Sequence, residues 1–141
     1  MSVTARHRSV VSKSATRSRD KTKAGAHYLA RRVVTFLREN EEGHYIRLQN
    51  LYGNKKLAEK YGLDPKLRYY GCLVWDPPRI VVDFRNPLAT IVHEVLHALY
   101  PDATEKEILY KESLVMRHLT EYRAVQIWTL SGTLMRVSEE R

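Results

Sequence analysis

Cysteine is nearly missing from this chain. Cys72 stands alone, so no internal disulfide framework can hold the fold, and its place in an apolar run marks it as a small core side chain. Long hydrophobic stretches are lacking too. No run approaches the roughly 20 apolar residues of a membrane helix, and the N-terminus has no apolar segment of the secretory kind. A cytoplasmic protein is therefore the expectation. Internal repeats are also absent, and 141 residues with 43% hydrophobic content suit a single globular domain.

Acidic residues are scarce at one end. In residues 1–23, seven basic side chains (Arg6, Arg8, Lys13, Arg17, Arg19, Lys21 and Lys23) face Asp20 alone, giving +6 of the net +8. The other 118 residues hold 17 basic and 15 acidic ones. The charge belongs to a tail. Five serines and scattered valines complete a composition expected to stay disordered. A solubilising tail is one reading, and nonspecific, salt-sensitive contact with nucleic acid through residues 1–23 is another.

The folded part is then 24–141. Ala24 to Asn40 reads as an amphipathic helix with Ala26, Leu29, Ala30, Val33, Val34 and Leu37 on one face. His44 to Leu51 alternates like a strand, and Asn54 to Tyr61 reads as a short helix closed by Gly62. Tyr69 to Trp75 and Arg79 to Phe84 are β-rich runs around Asp76-Pro77-Pro78, which predicts a hairpin. The order is α+β: a small, mostly antiparallel sheet beside a helical layer.

The chemistry is concentrated in His93-Glu94-Val95-Leu96-His97. On a helix, HExxH stacks two imidazoles one turn apart with a carboxylate beside them, which is a zinc site with its own general base. The flanks make the segment helical. Asn86 suits an N-cap, Pro87 the first helical position, and Pro101 a stop. At 100° per residue from His93, His97 falls at about 40°, Thr90 at about 60° and Glu94 at about 100°, opposite Leu88, Val92, Val95 and Leu99. The motif thus fills a narrow polar stripe on an otherwise apolar, central helix, and is expected to line a cleft.

Two histidines leave a catalytic zinc one protein ligand short. Thr104-Glu105-Lys106-Glu107 reads as a capping box opening a closing C-terminal helix, with Thr104 at the N-cap and Glu107 capping in return. Steps of three and four put Glu105, Ile108, Glu112, Val115, Leu119, Tyr122 and Gln126 on one face. Glu105 and Glu112 bring carboxylates to that largely apolar face, where a buried acid needs a partner. Glu105, just past the turn, is the favoured third ligand; Glu112 is the reserve, and His118 a weaker candidate.

The stretch Asp83–Glu105, "DFRNPLATIVHEVLHALYPDATE", resembles the zincin metallopeptidases, particularly small single-domain, gluzincin-like ones of the SprT-like and ImmA-like kind, in which HExxH is followed by a glutamate on the next helix. There is no HExxHxxGxxH, which argues against the metzincin branch. The resemblance implies zinc held by His93, His97 and Glu105, with Glu94 as catalytic base for the hydrolysis of a peptide or protein substrate. It also implies that a strand bordering the cleft pairs with an extended peptide, for which Arg79–Phe84 is expected by sequence proximity. For an oxyanion donor, position alone offers Tyr100, Tyr110, Arg117 and His118 without selecting one. Two other classes remain: a noncatalytic zinc-binding interaction module with a fourth protein ligand, and a nucleic-acid-associated protein acting through its basic tail.

Overall fold

Residues 3–7 and 19–136 are described by the computed structural model. Along the chain run β1 (Val3–His7), α1 (Arg19–Glu39), β2 (Tyr45–Gln49), α2 (Lys55–Lys60), β3 (Tyr69–Trp75), β4 (Pro78–Asp83), α3 (Pro87–Leu99), α4 (Glu105–Arg117), α5 (Glu121–Leu134) and β5 (Met135–Arg136). The fold is α+β. No helix among the described residues is long and apolar enough to cross a membrane.

The strands form one sheet in the order β1-β3-β4-β2-β5. The β3–β4 hairpin is antiparallel, with Leu73 opposite Ile80 and Gly71 opposite Val82, and β1 is antiparallel to β3. On the other side β2 runs parallel to β4, Ile46 beside Ile80, and β5 runs parallel to β2. The sheet is therefore evenly mixed, where the sequence led us to expect mostly antiparallel pairing. The cause is the route of the chain: after β2 it passes through α2 before entering the hairpin, so β2 docks outside β4 in the same direction.

Both faces of the sheet are covered. On one, Ile46, Leu73, Ile80 and Val82 meet Leu29, Val33 and Leu37 of α1, Ile91, Val92, Val95 and Leu96 of α3, Ile108 and Val115 of α4, and Ile127 of α5. On the other, Cys72, Val74 and Val81 meet Leu51, Ala58 and Tyr61 around α2. Cys72 is a buried core thiol, and burial first, then the nearby Glu94, pushes its pKa up.

Three expectations are corrected. β4 is not a docking edge: β3 and β2 use both sides of it. The closing helix is two helices, because α4 ends at His118 and Thr120 caps α5 by accepting from the Arg123 N–H at 3.2 Å. The face predicted to continue to Gln126 reaches Leu119, which packs half-buried against the core, and is interrupted at Tyr122, 71% exposed. The first helix begins at Arg19 rather than Ala24. Most of the basic segment 1–23 lies outside the described residues; within it, Val3–His7 forms β1 and Arg19–Lys23 starts α1.

Candidate metal centre

α3 is held at both ends. Pro87 supplies its first turn, Asn86 occupies the N-cap position without a side-chain capping bond, and the Tyr100 N–H returns to Leu96 O at the C-terminus. The strand before it is anchored by Asp83, a fully buried carboxylate. Its Oδ1 accepts from the N–H groups of Leu51 (2.8 Å) and Tyr52 (2.7 Å), and its Oδ2 from the Arg85 N–H (2.9 Å). One side chain thus ties the end of β2 to the approach of α3, a role that a lone Asp in a β-rich run does not advertise in sequence.

Packing against the sheet then buries the whole motif. Thr90, His93 and Glu94 are fully buried and His97 is 5% exposed, so the stripe lies under cover rather than along an open cleft. The closest approach is at Gly71 of β3. A Cβ there would fall 2.3 Å from Thr90 Cγ2, 2.7 Å from the Val81 carbonyl oxygen and 3.8 Å from Glu94 Cγ. Only the absence of a side chain lets β3 pass this close to Thr90 of α3, with Glu94 in ordinary contact beside it.

The turn Pro101–Ala103 folds α4 back against α3, and Thr104 caps it by accepting from the Glu107 N–H at 3.2 Å. Glu105 then faces both histidines: its Oε1 lies 2.8 Å from His93 Nε2 and its Oε2 2.8 Å from His97 Nε2. The candidate ligand atoms of His93, His97 and Glu105 all lie within 4.8 Å of one another. Glu112, two turns further along α4, reaches the opposite side of the His93 ring, where Nδ1–H donates to Oε1 at 2.8 Å.

This geometry separates the two glutamates that the sequence offered as alternatives. Glu105 is on the Nε2 side of both rings, where a shared ion would sit; Glu112 holds Nδ1 of His93 and so fixes the ring's orientation. Burial lowers the pKa of His93, but the carboxylates of Glu105, Glu112 and Glu94 outweigh it and hold the imidazole up to about 9. Burial likewise raises Glu105, and the two imidazoles reverse that to about 2. Glu105 and Glu112 pair with the two imidazoles; a divalent cation among His93, His97 and Glu105 would take the place of the shared protons there, and two nitrogens with one oxygen suit zinc.

The other candidates lie elsewhere. Tyr100 OH accepts from Arg32 Nη1 at 3.1 Å, toward α1. Tyr110 is half exposed, Arg117 ends α4 and His118 is its C-cap. Compared with protein families, with curated proteins and with solved structures, the chain matches none of them.

Proposed function

We propose that this chain is a zinc-dependent metallopeptidase. The observation that carries the reading is the convergence of His93 Nε2, His97 Nε2 and the Glu105 carboxylate beside a second, fully buried carboxylate, Glu94, on the same helix. Three protein donors leave a coordination position for water or a substrate carbonyl, the arrangement of hydrolytic rather than purely structural zinc. With Glu112 on His93 Nδ1, the Nε2 atom faces the site and, once deprotonated, would be the donor to the metal.

A bound zinc ion supplies Lewis acidity, lowering the pKa of water and polarising a carbonyl. The protein's own groups do the rest. Glu94 accepts the proton of the attacking water and delivers it to the departing amine, while α3 and α4 hold the two imidazoles and Glu105 in a fixed frame. Burial of Glu94 strengthens its electrostatic interactions by excluding bulk water.

Glu94→Gln tests this reading: it keeps the side chain's volume and removes the base. The variant should retain zinc and lose peptide hydrolysis by a hundredfold or more, on the order of general-base contributions. Hydrolysis of a peptide mixture at the native rate by the zinc-loaded variant would remove Glu94 from the mechanism.

A further inference from the structure

The outer side of an edge strand is a row of backbone donors and acceptors that must find partners. In this sheet one such row runs beside the candidate metal centre. β3 touches α3 at Gly71, where a Cβ would lie 3.8 Å from Glu94 Cγ. β4 takes one side of β3. The other side holds β1, antiparallel, with Val3 opposite Val74, Ala5 opposite Cys72 and Arg6 opposite Gly71. β1 also contacts α3 itself. Val3–His7 therefore lies as a short extended peptide along the strand that borders Glu94.

We propose that this side of β3 is a docking edge for an extended polypeptide, and that β1 is its resident occupant, exchanged for a segment of another chain. The proposal rests on the peptidase reading in that the docked segment is then the substrate. β1 is suited to leave. It is the terminal strand of the sheet, so its departure breaks a single ladder, and that ladder already loses register between Arg6 and His7. Residues 8–18 separate it in sequence from α1. Recognition by a backbone ladder tolerates many sequences, with preference set by alternate side chains. Arg6 occupies the register position opposite Gly71, the point at which β3 passes Glu94.

A strand covalently joined to the chain competes at a high effective concentration, on the order of millimolar. The probe is a fluorescent synthetic peptide of residues 1–10, MSVTARHRSV, with binding read by anisotropy and metal chelated to prevent hydrolysis. Adjacent strand residues direct their N–H groups to opposite sides, so a full-length Thr4→Pro/Ala5→Pro variant must remove one donor from the ladder. It should bind the probe at least tenfold more tightly than the native chain. In a second full-length variant, Ala5→Cys faces Cys72 at the separation that a disulfide accepts. Oxidised, with free thiols lost, it should bind at least tenfold more weakly than when reduced. Equal affinity of its oxidised and reduced forms overturns the proposal, whether or not the proline variant folds. The peptidase reading fails separately: exchange without hydrolysis after zinc is restored keeps the edge and removes the enzyme. Equal hydrolysis by native and locked chains keeps the enzyme and removes the edge.

Discussion

Glu105 and Glu112 share a helix face and meet His93 from opposite sides of its ring. Spacing alone places both near the histidines; which nitrogen each meets depends on how α4 returns along α3, and sequence does not encode that angle. The role of His44 is not legible in sequence either, since it is set by distant neighbours. It is 1% exposed, its ring centroid is 5.3 Å from that of Phe36 and 5.4 Å from that of Trp75, and Glu42 Oε2 is 3.8 Å from Nδ1. Neither ring nitrogen has a hydrogen-bond partner among the described residues. Burial lowers its pKa below 6.5, outweighing the opposite pull of Glu42. The unfolded chain thus takes up a proton at His44 more readily than the folded one, and stability present above pH 6.5 is lost as pH falls below it. His44→Phe, which keeps an aromatic ring between Phe36 and Trp75, should stabilise the chain by about 1 kcal/mol at neutral pH and by more at pH 5. Urea denaturation at both pH values reads this, and an unchanged pH dependence would refute the assignment.

At the scale of elements, the parts with local punctuation were the legible ones. α3 runs from Pro87 to Leu99, within one residue of its predicted bounds, because Pro87 and Pro101 bracket a strong period. α2 begins after Asn54, whose Oδ1 accepts from the Leu57 N–H at 3.1 Å. The α4–α5 break was hidden because apolar positions keep helical spacing through Leu119, while Thr120 reads equally well as helix interior or cap. β1 was hidden by composition, since five residues of a basic, serine-rich segment gain their order from pairing with β3 and not from their own propensity. Strand order was likewise illegible, because β2 joins β4 across an intervening helix and strand. The contact that most depends on two elements together is Gly71 on Thr90 and the Val81 carbonyl. Gly71→Ala should cost about 1–3 kcal/mol by overpacking, since backbone stands on one side of the added methyl. An unchanged midpoint in chemical denaturation would show that β3 and α3 are less closely packed than this account requires.

Across the whole molecule, the helical layer and the sheet converge on one buried, charged centre. His93 and His97 come from α3, Glu105 and Glu112 from α4, and β3 and β1 lie alongside. A cation at that centre would join two helices and neutralise carboxylates that the fold has removed from water. Metal content is therefore the most direct test: elemental analysis of native protein and of His93→Ala, His97→Ala, Glu105→Ala and Glu112→Ala, each offered zinc and dialysed. One zinc per native chain is expected, with loss in the first three variants and retention in Glu112→Ala at an affinity weakened about 10- to 100-fold. A native chain that takes up no zinc, or a site lost with Glu112 and kept without Glu105, would contradict it.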